Sequence, residues 1–229
     1  MSKLIGIIGA MDIEVDGIVA SMSEVKSEKI SGITFYKGKL GSTTAVVAKC
    51  GIGKVFAAMC AQTMILTYNP DVIVNSGVAG SLGGGVGVLD VVVASGVVQH
   101  DMDTSAIGDP VGLISGINVI CIDSDKEASK KLLDACEVLN YKSHSGIIAS
   151  GDKFIAQNSD KNLLKERFGA QACEMEGASI GQVCYVNGTK FAILRAISDG
   201  EGAEMDYMTF APLAAKQSIE IIKKFVEIY

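Results

Sequence analysis

Histidine, tryptophan and proline are scarce in this chain of 229 residues, which holds two His, no Trp and three Pro. The scarcity of proline and the lack of a polar low-complexity tract argue against a flexible linker. A chain of this length suits one domain with a sizeable core, and we predict a single domain over residues 1–229. His100 and His144 stand at no usual metal-ligand spacing from each other or from a cysteine, so we predict no metal site.

Positive charge and long apolar runs are also lacking. The formal net charge is -6, whereas nucleic-acid binding proteins concentrate Lys and Arg, so we predict no nucleic-acid partner. No apolar run approaches the ~20 residues that span a bilayer. The first apolar run, 3–9, lies too close to Met1 for a signal peptide. We predict a cytoplasmic protein with no membrane partner.

The six cysteines form no C-x-x-C pair and lie inside apolar stretches. A thiol in such a stretch behaves as a small hydrophobic side chain. We therefore predict reduced core cysteines rather than disulfides or zinc ligands. They are Cys50, Cys60, Cys121, Cys136, Cys173 and Cys184.

Apolar, β-rich runs alternate with helical patterns along the chain. Most of these runs are continuous, which predicts strands covered on both faces, and Gly38-x-x-Gly41 between two of them predicts an antiparallel hairpin. We therefore predict a three-layer α/β fold with a mixed sheet. The predicted strands are 3–9, 33–40, 43–50, 71–77, 89–98, 117–122, 146–151 and 190–197. The predicted helices are 12–23, 54–67, 124–140, 160–168, 176–187 and 208–228.

Two helix ends carry terminal signals. Ser124 and Glu127 have the spacing of a capping box, and Gly188 follows the predicted end of another helix.

The glycine clusters do not match nucleotide-binding fingerprints, since neither G-x-G-x-x-G nor G-x-x-x-x-G-K-[ST] occurs. Glycine turns at strand ends remain, including the segment 75–80, where the backbone can approach a ligand closely. A tight strand-to-helix turn explains each of them equally well.

Acidic residues follow apolar runs at three places in the chain, and open α/β sheets gather their ligands at the carboxyl ends of their strands. Glu14 follows the first strand, although one acidic residue there also simply favours a helix N-terminus. Glu174 and Glu176 flank Met175 before a small-residue helix, and such carboxylates can accept hydrogen bonds from a ribose diol or form a solvated helix start.

Asp199 ends the apolar run 191–198. Burial favours the protonated form of a carboxyl, which a general acid needs near neutral pH. A helix cap or an ion pair with Arg195 would explain the same position.

Together these features resemble the 5′-methylthioadenosine/S-adenosylhomocysteine nucleosidases, within the nucleoside phosphorylase superfamily. Any one match is weak, whereas the ordered set across the whole chain is specific. The matching segments are Ile7-Ile8-Gly9-Ala10-Met11-Asp12-Ile13-Glu14, Gly51-Ile52-Gly53-Lys54, Asn75-Ser76-Gly77-Val78-Ala79-Gly80, Ser150-Gly151-Asp152-Lys153-Phe154-Ile155, Glu174-Met175-Glu176 and Arg195-Ala196-Ile197-Ser198-Asp199.

The resemblance implies a twisted central mixed sheet flanked by helices, a homodimer, and no metal or organic cofactor. It implies hydrolysis of 5′-methylthioadenosine and S-adenosylhomocysteine to adenine and the 5′-thioribose product, in methionine salvage and the methyl cycle. Glu14 would polarise the attacking water, and Glu176 with Met175 would hold the ribose diol. Asp199 would protonate adenine N7, with Ser198 orienting it.

The resemblance also implies the walls of the site. Phe154 would stack on the purine, and the backbone of Ile155 would read the adenine edge. A groove for the 5′-thioalkyl group would be lined by Ile52, Tyr207 and Phe210, with Thr104 and Ile107 from the neighbouring subunit. The other residues expected at the substrate are Met11, Val78, Ala79, Gly80 and Glu174.

Rival functions remain open. A futalosine or 5′-deoxyadenosine hydrolase would share the catalytic set, and Val78, Thr104, Ile107 and Tyr207 depart from other family members at the 5′ pocket. A purine nucleoside phosphorylase would need several arginines for phosphate, but the chain has only Arg167 and Arg195. A non-catalytic nucleoside-binding protein would not need the acidic set. The segment 200–206 is predicted as a mobile lid.

Overall fold

A computed structural model describes residues 3–200 and 204–229, without the side chains of 204–206. The strands of this part are β1 (Leu4–Gly9), β2 (Ser23–Ile30), β3 (Ile33–Leu40), β4 (Thr43–Lys49), β5 (Val72–Ser81), β6 (Val91–Gln99), β7 (Cys121–Asp123), β8 (Ser143–Ser150), β9 (Ala170–Glu174) and β10 (Lys190–Asp199). The helices are α1 (Asp12–Val19), α2 (Lys54–Tyr68), α3 (Lys126–Val138), α4 (Asn158–Phe168), α5 (Gly177–Asn187) and α6 (Glu204–Ile228), and a 3-10 turn spans Ser105–Ile107. The predicted lid falls largely on residues 201–206, outside the fully described residues.

All the described strands join one mixed sheet, as predicted. The order β2-β3-β4-β1-β5 forms an open half. In the other half β5 pairs with β10, β10 with β6, β6 with β8, β8 with β9, and β9 returns to β5. This half therefore closes on itself. β5 reaches three partners because β9 pairs with it only at Gly80 and Ser81, beyond the end of the β1 pairing.

Helices cover both faces of the sheet, which explains the continuous apolar strands. On β1, Ile7 packs toward α1, α3 and α6, whereas Ile8 packs toward α2 and α5. The three-layer α/β architecture with a central mixed sheet is thus confirmed. The carboxyl ends of β1, β5, β9 and β10 lie near one another.

The predicted elements differ from the structure at several places. β2 was not predicted, because its sequence SEVKSEKI lies exposed at the sheet edge and carries no apolar run. The capping box at Ser124 is wrong: α3 begins one residue later than that spacing requires, and the Asp125 side chain accepts the N–H of Ala128 at 2.9 Å. Gly188 ends α5 with a φ of 66°, as predicted.

The cysteine prediction agrees with the structure except for Cys121. All six thiols are free, and five of them are buried while Cys121 is partly exposed. No helix in the described part of the chain is both long and apolar enough to cross a membrane.

Candidate active site

A cavity of about 120 Å³ lies at the carboxyl ends of the strands, where open α/β sheets gather their ligands. Most of the predicted site residues line it. They are Met11, Glu14, Ile52, Val78, Ala79, Gly80, Phe154, Ile155, Glu174, Met175, Glu176, Ser198, Asp199 and Tyr207. Ala10, Lys153 and Cys173 also line it, although they were not predicted as site residues.

Three predicted residues lie outside this cavity. Phe210 on α6 is partly buried and does not line the cavity. Thr104 donates its hydroxyl to Asp109 at 2.8 Å, and Ile107 in the 3-10 turn is 82% exposed. Within one chain, the groove predicted for the 5′ group is therefore formed without these three side chains.

Glu14 turns inward from the first turn of α1 and is buried. Its Oε2 accepts the N–H groups of Ala10 at 2.7 Å and Met11 at 3.0 Å, and its Oε1 accepts the N–H of Val78 at 3.0 Å. The carboxylate thus caps its own helix and also faces the cavity. For Glu14, capping the helix and facing a ligand cavity are therefore compatible.

Glu174 is bound by protein groups on both oxygens. It accepts the N–H of Glu176 at 2.9 Å and that of Gly177 at 2.8 Å, and the Ser150 hydroxyl and the Arg195 guanidinium also donate to it. Arg195 also donates to Asn75. Glu174 therefore anchors Arg195 and the start of α5.

Glu176 is less fully engaged than Glu174. Its Oε1 accepts the N–H of Gly53 at 2.9 Å, and its Oε2 lies 3.6 Å from Arg195. Burial, together with the neighbouring Glu174 carboxylate, raises the pKa of Glu176 to about 7. Its remaining acceptor capacity makes it the better candidate for a sugar diol.

Asp199 is 1% exposed and ends β10 beside a local irregularity. The pairing of β10 with β5 steps from Ile197 directly to Asp199, so Ser198 is the extra residue. The Ser198 hydroxyl donates to Asp199 Oδ1 at 2.9 Å. The alternative that Asp199 pairs with Arg195 is wrong, because Arg195 is held by Glu174 and Asn75.

Two glycines of β5 make room for the acids. A Cβ at Gly77 would lie 2.5 Å from Glu14 Oε1, and a Cβ at Gly80 would lie 2.9 Å from Asp199 Oδ2. Both acids therefore pack against β5, Glu14 beside Gly77 and Asp199 beside Gly80.

Known proteins are similar to this chain in sequence and in architecture. The phosphorylase superfamily pattern matches residues 4–227. The chain is 33% identical over 226 residues to the 5′-methylthioadenosine/S-adenosylhomocysteine nucleosidase of Psychromonas ingrahamii, with 97% of each chain covered. It is 35% identical to the aminodeoxyfutalosine nucleosidase of Campylobacter jejuni, over 97% of this chain and 98% of that one.

A solved structure agrees with these sequence relatives. The Neisseria meningitidis 5′-methylthioadenosine/S-adenosylhomocysteine nucleosidase, in complex with methylthio-immucillin-A, matches at a TM-score of 0.95 and 31% identity, covering 99% of this chain and 100% of that one. The chain belongs to the 5′-methylthioadenosine/S-adenosylhomocysteine nucleosidase family. The predicted resemblance and the assignment to N-glycosidic hydrolases are confirmed.

The cavity of this nucleosidase has an aromatic wall. Phe154 and Tyr207 meet edge to face with ring centroids 5.5 Å apart, and the Tyr207 hydroxyl lies 3.7 Å from Met11 Sδ. Phe154 is about half exposed, whereas Ile155 beside it is buried. An exposed ring next to a fixed backbone can stack on a flat base while the backbone contacts its edge.

One residue of the nucleosidase that contacts the site was not predicted from sequence. Lys161 on α4 is buried, and its Nζ lies 3.3 Å from Asp199 Oδ2. Its surroundings in the sequence, NSDKNLLKERF, look like a solvated helix. Its position could have been predicted from spacing, because Lys161 lies three residues before Leu164 and seven before Phe168. This spacing places it on the buried face of α4.

Proposed function

We propose that this nucleosidase hydrolyses the N-glycosidic bond of 5′-methylthioadenosine and S-adenosylhomocysteine, releasing adenine and the 5′-thioribose product. The observation that carries the proposal is the pair of buried acids, Glu14 and Asp199, facing one cavity. Breaking a ribosyl C–N bond builds positive charge on the sugar and negative charge on the base. Two acids with opposite protonation states answer both needs.

At the sugar, Glu14 is proposed to accept a proton from the attacking water, as in inverting glycoside hydrolysis. Its three backbone donors orient the carboxylate. The ionised Glu176 accepts hydrogen bonds from the ribose diol beside Met175. Glu174 supports this arrangement by holding Arg195, rather than by gripping the diol as the sequence alone suggested.

At the base, Asp199 in its protonated form is proposed to give its proton to adenine N7. The Ser198 hydroxyl, 2.9 Å from Oδ1, fixes the orientation of that carboxyl. Phe154 stacks on the purine and the Ile155 backbone contacts its edge. Ile52 and Tyr207 line the 5′ groove, with Val78, Ala79 and Gly80 along its floor.

A homodimer is proposed to complete the 5′ groove with Thr104 and Ile107 of the second copy. Exposed apolar side chains support this, because Val55 and Phe56 lie exposed in the first turn of α2, close in sequence to Ile52, which lines the cavity. Mixing Asp199→Asn chains with Ile107→Asp chains tests it. Mixed dimers should regain activity in the site that combines an intact Asp199 with an intact Ile107. No regain despite subunit exchange would contradict the proposal.

Hydrolysis is favoured over phosphorolysis by the placement of the two arginines. Arg195 is buried against Glu174, and Arg167 lies in the last turn of α4, outside the cavity lining. Adenine release measured in phosphate-free buffer tests this directly. We expect full turnover without phosphate, whereas strict dependence on phosphate would reject the hydrolase.

A second candidate substrate is aminodeoxyfutalosine, because the Campylobacter jejuni relative bears that name at 35% identity. The same release assay, run across methylthioadenosine, S-adenosylhomocysteine, 5′-deoxyadenosine and aminodeoxyfutalosine, ranks them by kcat/KM. A preference of more than tenfold for the futalosine compound would replace our substrate assignment and leave the catalytic set unchanged. We further propose a role in methionine salvage and a cytoplasmic location. The six free thiols support the proposed location.

A further inference from the structure

No step of the proposed hydrolysis assigns a role to Lys161, yet its ammonium group contacts the Asp199 carboxyl group. It is the one buried lysine in the described part of the chain, at 3% exposed. It occupies a core-facing position of α4 together with Leu164 and Phe168. An apolar side chain would fill that position at no electrostatic cost, whereas a buried ammonium needs compensating partners.

The two partners of Lys161 lie on either side of one peptide bond. Its Nζ is 3.3 Å from Asp199 Oδ2 and donates to the Gly200 carbonyl oxygen at 2.7 Å. The ammonium therefore holds both the carboxylate and the backbone that follows it. Ser198 donates to the other oxygen, Oδ1, so the carboxyl is fixed from both sides.

We propose that Lys161 is a positioning residue that acts through Asp199 and sets its acid strength, an inference that rests on the proposed hydrolysis. When the C1′–N9 bond breaks, its electron pair passes to adenine. The O–H bond of Asp199 breaks and an N–H bond forms at N7, which leaves a carboxylate. Water, after losing a proton to Glu14, bonds to C1′, and exchange with solvent resets both acids.

Charge balance explains why this carboxyl needs a cation. A buried carboxylate without a counter-charge is unfavourable, and the proposed proton transfer leaves a carboxylate at the buried Asp199. Lys161 stabilises the negative charge as it develops on Oδ2 and thereby strengthens the acid. Among the described residues, the other titratable groups facing Asp199 are Cys173 on β9 and Tyr207 on α6, and burial raises the pKa of both. Neither supplies a positive charge.

The test is the pH profile of kcat/KM for adenine release by Lys161→Met. The alkaline limb reports the loss of the proton from the free enzyme's acid. Because a nearby cation favours the ionised form, removing it should move this limb to higher pH. We also expect kcat near neutral pH to fall by about 10- to 100-fold, part of the ~10²–10⁴-fold that a general acid supplies. A purely structural role would lower the rate at every pH and leave the limb in place.

Three further variants make the test specific. Lys161→Arg keeps the charge and should keep the limb of the parent enzyme. Lys165→Met removes an exposed lysine one turn further along α4 and should change neither rate nor limb. In an Asp199→Asn background, Lys161→Met should lower the residual rate less than twofold, because its effect passes through Asp199. Melting curves establish that each variant is folded, and Lys161→Gln replaces Lys161→Met if the latter does not fold.

An unmoved alkaline limb in Lys161→Met, or a full additional loss in the Asp199→Asn background, overturns the role of Lys161. These outcomes leave the proposed function standing as long as the parent enzyme releases adenine. Failure of the parent enzyme on every adenine nucleoside would instead reject the proposed function itself.

Discussion

Two groups of side chains in the cavity balance their charges differently. The ribose cluster, defined as Glu14, Glu174, Glu176 and Arg195, holds three carboxyl groups around one guanidinium. The base cluster, defined as Ser198, Asp199 and Lys161, holds one carboxyl and one ammonium. The ribose cluster therefore has an excess of acid, which adds to the effect of burial in raising the pKa of Glu176 to about 7.

This difference matches the charges that N-glycosidic cleavage creates. An excess of carboxyl groups favours positive charge arriving on the sugar, whereas a balanced pair can give up a proton without leaving an uncompensated charge. Position in the cavity, not residue type, thus separates the roles of these acids.

The largest expected effect is on the base cluster through Asp199→Asn. The amide cannot donate a proton of comparable acidity, so kcat should fall by about 10²–10⁴-fold while the chain still folds and binds substrate. Single-turnover adenine release and equilibrium binding measure the two effects separately. Asp134→Asn, in an ion pair on the outer side of α3, is the control and should keep the parent rate. Turnover near the parent value in Asp199→Asn would remove this residue as the acid.

Glu14→Gln applies the same logic to the ribose cluster. An amide cannot take a proton from water, and its NH₂ group would face backbone N–H donors, so we expect a loss of about 10²–10⁴-fold in kcat. Asp12→Asn is a matched control two residues earlier, since Asp12 only pairs with Lys49 at the surface. A normal rate in Glu14→Gln would require another base for the water.

The acids of both clusters could be predicted from sequence because each follows an apolar run and lies in a segment that matches the family. The groups that form hydrogen bonds and ion pairs with these acids could not be predicted from sequence. Glu174 looked like a second diol ligand, but Ser150 and Arg195 reach it from other strands. Lys161 looked like a surface residue of a polar helix, and only the packing of α4 against the sheet brings it to Asp199.

One hairpin of the open half could be predicted from sequence, whereas the pairings that close the other half could not. The hairpin between β3 and β4 is encoded by adjacent residues, and both its strands are apolar runs. The closure of β5, β10, β6, β8 and β9 depends on pairings between distant segments, including the short β9. Edge strand β2 has no apolar face at all, so no periodicity reveals it.

Arg195→Met should destabilise the fold, because it removes the guanidinium of the ribose cluster. The substitution leaves buried carboxyl groups without their shared cation, and loss of one partner of a buried ion pair costs about 3–5 kcal/mol. Urea unfolding at pH 7.5 measures the change in the free energy of unfolding. Arg195→Lys keeps the charge and should lose less. A change below about 1 kcal/mol in Arg195→Met would show that the carboxyl groups are balanced in another way.

Glu176→Gln tests whether the excess of acid is used for ribose binding. Because burial raises the pKa of Glu176 to about 7, the carboxylate is present above that pH and becomes protonated below it. The parent enzyme's KM should therefore rise as the pH falls from 8 to 6. Glu176→Gln should show a KM about 10-fold higher at pH 8 and little dependence on pH, in line with the loss of a hydrogen bond to a charged group. A parent KM independent of pH would place the diol on another acceptor.

The smallest expected effect is that of Ser198→Ala in the base cluster. The hydroxyl donates to Asp199 Oδ1 at 2.9 Å and also lies 3.3 Å from the Ala79 carbonyl oxygen. A net hydrogen bond is worth about 0.5–1.5 kcal/mol, so kcat should fall by roughly 2- to 12-fold with KM unchanged. Because Lys161 still holds the other carboxylate oxygen, the acid should remain oriented. A loss as large as that of Asp199→Asn would show instead that Ser198, and not the ammonium of Lys161, is the main group that orients the acid.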